Sequence, residues 1–254
     1  MKTRLDLTKR LSVYTIENCI NNSQTLHEFN LNYGKITRRN LRKVEYITRN
    51  AAGEYLWHCF RRHCVSGTLS KVFVRDMERG SLSERVRKGV RKLYIRDLSH
   101  IPAIRFGLRK ENVARKLLLK HWRKFHPRAS IRQYGIQYSA PMMSYSVDGI
   151  LRNEGGETFL VEIKTAPSLE RKKIKNRREK LPYLNKQGRL RKTHKHMFQI
   201  QYYLWCTKLY KCIFFIYARR DFSLEIVERD EELFDRFESM QNFYLKEYIE
   251  PRYC

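Results

Sequence analysis

Acidic residues are scarce in this chain. It has 26 Asp and Glu against 53 Lys and Arg in 254 residues, a net charge of +27 and a pI near 10.1. No fold requires such an excess, and its field attracts polyanions and speeds their encounter. Nucleic acid is the natural partner, because neutralising phosphates releases counterions. Long apolar stretches and lipidation motifs are missing, so no membrane partner is expected. The N-terminal stretch Met1–Leu11 has no apolar core of the kind a signal peptide carries, so an intracellular location is expected. The six cysteines (Cys19, Cys59, Cys64, Cys206, Cys212 and Cys254) form no C-x-x-C pair, as suits a reducing compartment. His58-Cys59 and His63-Cys64 lie close together, yet both fall in one expected helix with no second ligand pair at zinc spacing. Free, mostly buried thiols are expected there rather than a metal. Internal repeats are also lacking.

A chain of this length fits one domain with appendages. Residues 1–44 read as a basic N-terminal extension of unknown role, broken at Asn21-Asn22-Ser23, and residues 45–254 as the domain proper. Helical spacing is expected over 45–64, 78–98 and 112–125, the last closed by His126-Pro127. Residues 131–138 alternate as a strand does. Further on, a helix is expected over 196–209, strands over 212–218 and 224–227, and a closing helix over 230–247. Residues 168–195 read as a basic mobile loop. Its Arg171–Lys195 portion holds twelve Lys or Arg and one acid, Glu179. Contact with a DNA backbone is the first expectation for it, and a nuclear localisation signal the second.

Chemistry concentrates in the middle of the chain. Residues 158–164, Thr-Phe-Leu-Val-Glu-Ile-Lys, form a short apolar run between Gly155-Gly156 and Pro167, which reads as a buried strand. Side chains alternate along a strand, so Glu162 and Lys164 share one face while Val161 and Ile163 take the core face. The run from Ser144 to Leu151 is expected as a neighbouring strand, with Asn153-Glu154-Gly155-Gly156 as the turn. That pairing brings Asp148 near Glu162. Two carboxylates there make a hard oxygen site suited to Mg²⁺ or Mn²⁺. Taken singly the residues have blander readings: Glu-x-Lys is common on a solvated face, and Asp148-Gly149 is a turn signal.

In this order the blocks resemble the lambda exonuclease and viral alkaline nuclease branch of the PD-(D/E)xK nucleases, the YqaJ type. The first block is Trp57-x-x-x-Arg61-x-x-x-Val65-Ser66-Gly67-Thr68, and the second Gly107-x-x-x-Glu111-Asn112-x-Ala114-Arg115. Ser146-x-Asp148-Gly149 and Glu162-x-Lys164 follow, then Gln199-Ile200-Gln201-Tyr202-x-x-Trp205-x-Thr207 and a segment from Ile226 to Glu231. The blocks span residues 57–231. Three departures leave every catalytic group in place. Val147 stands where the family commonly has proline, Gly67-Thr68 where it has Ala-Ser, and Pro167 falls one residue later.

The resemblance implies an α/β fold with a restriction-endonuclease-like core, a central mixed β-sheet flanked by helices. It implies a metal-dependent DNA exonuclease, 5′→3′ on linear duplex, serving viral-type recombination, replication or repair. The alternatives are a structure-specific or nicking DNA endonuclease of the same fold and a non-catalytic nucleic-acid-binding protein. The implied catalytic set is Glu111, Asp148, Glu162, Lys164 and Gln199. Asp148, Glu162 and Glu111 are the implied Mg²⁺ or Mn²⁺ ligands, joined by the carbonyl of Ile163. Lys164 would orient or deprotonate water, or stabilise charge on the phosphate. Glu111 also reads as an i,i+4 surface partner of Arg115. Gln201, two residues from Gln199, is expected in packing or DNA contact, and Tyr202 and Trp205 in the core. Arg61, Ser66 and Thr68 are implied as a pocket for a 5′-terminal phosphate, for which an Arg fork is well shaped. Alone, Arg61 reads as a solvated helix residue. A strand-annealing or single-strand-binding partner is implied, a homo-oligomer stays open, and the nucleus is the expected compartment for a viral or virus-derived gene in a eukaryotic host.

Overall fold

A computed structural model describes residues 15–49, 55–91, 101–140, 142–165, 181–219 and 221–254. Threonine starts each of the first three helices among the described residues. Thr15, Thr25 and Thr37 are extended and accept a backbone N–H of the first turn, which caps α1 (Ile16–Asn21), α2 (Leu26–Gly34) and α3 (Arg38–Thr48). Next come α4 (Tyr55–Arg61), β1 (Val65–Ser66), α5 (Ser70–Glu78) and α6 (Glu84–Arg91). The long helix α7 (Pro102–Trp122) opens on proline, which suits the first turn. Then follow β2 (Ser130–Arg132), β3 (Gln137–Ala140), β4 (Met143–Tyr145), β5 (Gly149–Arg152) and β6 (Thr158–Thr165). The chain ends with α8 (Lys195–Thr207), β7 (Lys211–Ala218), β8 (Asp221–Glu228), α9 (Glu231–Glu238) and α10 (Met240–Tyr244), which runs on as a π-turn at Leu245–Ile249.

These elements form two compact units, one of Met1–Arg96, Gly135–Ser146 and Glu232–Cys254, the other of Asp97–Tyr134 and Val147–Glu231. The first unit holds a small sheet in the order β1-β4-β3. Beside it Val44, Ile47, Phe60 and Ile136 form a core, with Trp57 and Tyr138 packed against them. Helix α3 is tied to the chain entering β3 by polar contacts. The Glu45 carboxylate accepts the Gly135 N–H at 3.0 Å, and Thr48 Oγ1 accepts the Ile136 N–H at 2.8 Å.

The second unit carries a five-stranded mixed sheet in the order β2-β5-β6-β7-β8. β5 and β6 are antiparallel, with Gly149 opposite Val161; β6 and β7 are parallel, with Glu162 opposite Phe214. A parallel pair needs a crossover, and α8 lies within it. Ala114 and Leu118 of α7 pack with Leu151, Phe159, Val161, Ile163, Ile213 and Phe215 as the core. Val161 and Ile163 therefore face that core and Glu162 and Lys164 the other side of the strand, as the alternation requires.

Several expected elements divide. Ser144–Leu151 is not one strand: β4 joins the small sheet, Ser146–Asp148 is irregular, and only β5 pairs with β6. Residues 131–138 likewise split between β2 and β3, because alternation does not say which sheet a strand joins. The helix expected over 78–98 breaks at Arg79–Ser83, where Gly80 takes φ 72° and Asp76 accepts the Ser83 N–H and hydroxyl at 2.8 and 2.6 Å; residues 92–98 lie outside the described part. Helix α7 begins ten residues before the expected 112, since Pro102 starts it. The first 44 residues include α1, α2 and part of α3. The two His-Cys pairs do not share a helix, because α4 ends at Arg61 and His63 is left-handed (φ 59°). His63 Nδ1 is 2.7 Å from Tyr248 Oη, and burial followed by nearby Arg252 lowers its pKa to about 3. The basic loop over 168–195 lies outside the described residues as far as 180; beyond it Leu184 and Leu190 form a β-bridge.

Gly135 is where backbone meets backbone. A Cβ there would stand 2.1 Å from the Glu45 carbonyl oxygen and 2.7 Å from the Arg49 nitrogen. Gly135→Ala is expected to cost about 2–4 kcal/mol of stability. Gly155→Ala, whose Cβ meets nothing within 4 Å, should be close to neutral. Thermal unfolding of both variants measures the difference, and equal melting temperatures would contradict this account of α3.

Candidate functional site

The site assembles from three pieces of the second unit. Helix α7 presents Glu111, Ala114, Arg115 and Leu118 at helical spacing, so the stripe that fills the core with Ala114 and Leu118 also carries the pair Glu111–Arg115. The turn before β5 supplies Asp148. Strand β6 supplies Glu162 and Lys164. Turn residues 153–156 close the hairpin as expected, with Asn153 N–H bonded to Glu157 O at 2.9 Å and Gly156 at φ 84°.

Hydrogen bonds lock these pieces together. Asp148 Oδ2 accepts the Ile163 backbone N–H at 2.6 Å. Arg115 donates from Nη2 to Glu111 Oε1 at 2.5 Å and from Nε to the Asp148 carbonyl at 2.8 Å. Lys164 donates to Glu162 Oε1 at 2.5 Å. Glu162 is 2% exposed, so the Glu-x-Lys pair is no solvated surface face. The i,i+4 pairing of Glu111 with Arg115 is present too, but Arg115 is buried, which makes the pair part of the site.

Electrostatics follow from bringing three acids within reach of one another's charge where water is largely excluded. Burial, then the Asp148 charge, pushes the Glu111 carboxyl up to about 8 despite Arg115. Burial pushes Glu162 up to about 7; Lys164 opposes this and Asp148 adds to it. Burial also raises Asp148, against Lys164, the Ile163 N–H and Arg115. For Lys164 burial works against the ammonium, yet Glu162 and Asp148 outweigh it and its pKa is raised. Lys164 is thus held as a cation.

Hard oxygen donors crowded under mutual repulsion are the chemistry a divalent cation relieves, so Asp148 and Glu162 fit such an ion. In this arrangement each carboxylate is instead engaged by a protein donor. Among the described residues no three Asp, Glu, His or Cys side chains are grouped closely enough to share one ion. Glu111 is coupled to the other two acids by charge, not drawn up beside them as a common ligand.

Gln199 lies on α8 in the same unit. Its Nε2 donates to Tyr203 Oη at 3.1 Å, and its side chain hydrogen-bonds the His196 ring. His196 is driven down to about 3 by burial and then by the charge of Lys164, so it is neutral and sits within electrostatic reach of the lysine. The sequence reading passed over His196 and Tyr203. Their spacing of three and four residues from Gln199 on one helix was the available signal. Gln201 is a packing residue: it donates to Glu228 O at 2.8 Å and accepts the Asp230 N–H at 2.9 Å, pinning α8 to the end of β8. Tyr202 and Trp205 are buried, as expected.

Arg61, Ser66 and Thr68 belong to the first unit. The Arg61 guanidinium lies 4.0 Å from the Trp57 ring centroid, and Ser66 Oγ is 3.0 Å from Thr68 Oγ1. Ser66 is buried and Thr68 exposed. Arg61 is half-buried over an aromatic ring, so it is not a freely solvated helix residue.

Comparison with known proteins places the chain. Residues 56–210 match the model of the YqaJ-like viral recombinase domain. No curated protein sequence matches the chain. Among solved structures it resembles LHK-Exo, an alkaline exonuclease from Laribacter hongkongensis (19% identity, 75% of this chain and 90% of that one, TM-score 0.50). It also resembles KSHV SOX in an RNA complex (10%, 96% and 83%, 0.58) and SOX in a DNA complex (11%, 96% and 80%, 0.53).

Three raised carboxyls imply a particular pH dependence. A group whose folded pKa exceeds its unfolded value contributes stability below the unfolded value and loses it as pH rises through the folded one. Glu162 and Glu111 move from 4.5 to about 7 and about 8. Metal-free protein should therefore lose several kcal/mol between pH 5 and pH 8, and Mg²⁺ should restore more at pH 8 than at pH 5. Thermal melts in EDTA and in Mg²⁺ across that range test this; a metal-free profile that is flat or rises with pH contradicts it.

Proposed function

The chain belongs to the YqaJ-like viral recombinase family and has a restriction-endonuclease-like fold, and from that premise we propose that it is a metal-dependent DNA exonuclease acting 5′→3′ on linear duplex. The observation that carries this reading is the group of buried Glu162 with half-buried Asp148 and Lys164, within reach of the Glu111 charge. A fold does not need Asp148 and Glu162 gathered at one lysine with Glu111 within reach of their charge. Phosphodiester hydrolysis with a divalent cation does.

Asp148 and Glu162 would hold Mg²⁺ or Mn²⁺, with Glu111 near enough in charge to assist. When bound, the ion would polarise the scissile phosphate and acidify a water. The remaining work falls to the chain's own groups. Lys164 is kept protonated by Glu162 and Asp148, so it suits donation to a phosphate oxygen as negative charge builds up, more than removal of a proton from water. Glu162 would thus serve the ion and Lys164 the phosphate. Arg115 holds the Asp148 backbone and Glu111 in place. The amide of Gln199, set by Tyr203 and neutral His196, supplies an uncharged polar group for phosphate or water. Arg61, Ser66 and Thr68 would bind a 5′-terminal phosphate and so give the digestion its polarity. The excess positive charge of the chain supports a polynucleotide substrate, as do the DNA and RNA bound in the SOX complexes. A strand-annealing protein is the fitting partner for the single strands such an enzyme leaves.

End-labelled linear duplex, with and without a 5′ phosphate, should be digested in Mg²⁺ while closed circular DNA stays intact. Cutting of the circle would make the protein an endonuclease of the same fold, and no Mg²⁺-dependent cutting of any linear DNA would end the enzymatic reading. Asp148→Ala should lower the rate by about a hundredfold or more while retaining DNA binding in Ca²⁺.

A further inference from the structure

Helix α3 lies outside the residues matched by the family model, and its two faces differ sharply. Val44, Glu45, Ile47 and Thr48 are buried, while Arg38, Arg39, Arg42, Lys43 and Tyr46 are exposed. At 3.6 residues per turn those five exposed positions fall within an arc of about 140°, and Tyr46 stands near its centre. Tyr46 is 70% exposed, one of the most exposed large side chains of the described residues. The Arg49 guanidinium lies 5.6 Å from its ring centroid, which backs the ring without covering it.

The arc contains no acid. The helix's single carboxylate, Glu45, is on the buried side, where it bonds Arg49 and the Gly135 N–H. Arg38 and Arg42, and Arg39 and Lys43, are like charges four residues apart, an arrangement that destabilises an isolated helix. Nothing among the described residues offsets these four cations. Because α3 is clamped to Gly135 and Ile136, the arc is carried on a fixed platform rather than a loose arm.

We propose that this face of α3 is a binding surface for single-stranded nucleic acid, whose backbone lies along the four cations and whose unpaired base stacks on Tyr46. Charge complementarity selects a polyanion. The exposed tyrosine at the centre of the charge selects unpaired bases, since a duplex offers no free base face to stack on. The surface is independent of the acids that would cut the strand, so its test stands apart from catalysis.

Binding of the full-length protein to fluorescent oligothymidylate and to a duplex of equal length is measured in Ca²⁺ across a salt series. Tyr46→Ala should weaken single-strand binding by about five- to tenfold and leave duplex binding within about twofold, with Tyr46→Phe like the unmodified protein. Arg42→Ala with Lys43→Ala should flatten the single-strand salt slope by about 1.4, or about 0.7 per lost phosphate contact. All these side chains are exposed, so the melting temperature serves as a check that the fold is kept. Undiminished single-strand binding by Tyr46→Ala overturns the proposal, and so does an equal loss on duplex, which would assign the face to double-stranded nucleic acid instead. A protein that binds in this way but never cuts DNA would sustain this surface and refute the nuclease reading.

Discussion

The burial of Glu162 against Lys164 is the constraint from which the second unit takes its form. A carboxylate 2% exposed in the middle of a sheet is costly unless a partner meets it. Lys164 is that partner, two residues along the same face, and the sheet is built so that both can be there. Val161 and Ile163 occupy the opposite face and join α7 in the apolar core. The strand therefore anchors itself by one face and holds its ionic pair on the other.

Asp148 and Glu111 extend the same tension. Asp148 is held by the Ile163 N–H, a group of the strand that carries the ion pair, and Arg115 bonds both its backbone and Glu111. Two cations thus serve three acids, and burial raises all three carboxyls, with the Asp148 charge adding to it for Glu111 and Glu162. Structural salt bridges usually match their charges; here they do not. The imbalance is what supports the proposal of a positive ion and a phosphate there.

In the first unit, α3 arranges its charge differently: the helix's sole carboxylate is turned inward while cations fill the exposed arc. One chain thereby holds a concentrated negative site within a broadly positive surface. That combination suits an enzyme that attracts a polyanion in general and binds a metal in one place.

The acidic cluster was largely legible in the sequence, and the physical reason is local. Period-two alternation puts Glu162 with Lys164, the Gly155-Gly156 turn returns the chain antiparallel, and helical spacing groups Glu111 with Arg115. Each relation spans a few residues and depends on backbone geometry alone. What lay beyond reach was which sheet each strand would join. Ser144–Leu151 reads as one alternating run, yet its first part pairs with β1 and its last with β6, because strand partners are chosen by burial across the whole chain. The raised carboxyls, the cationic state of Lys164 and the lock of His196 and Tyr203 on Gln199 were equally hidden, since each depends on desolvation and neighbours brought in by packing. By itself the sequence determined which groups the protein has for its chemistry and their spacing along each element. Only the tertiary structure decided which of them are dry, which are charged and which are held, because those properties belong to the surroundings of a residue and not to the residue.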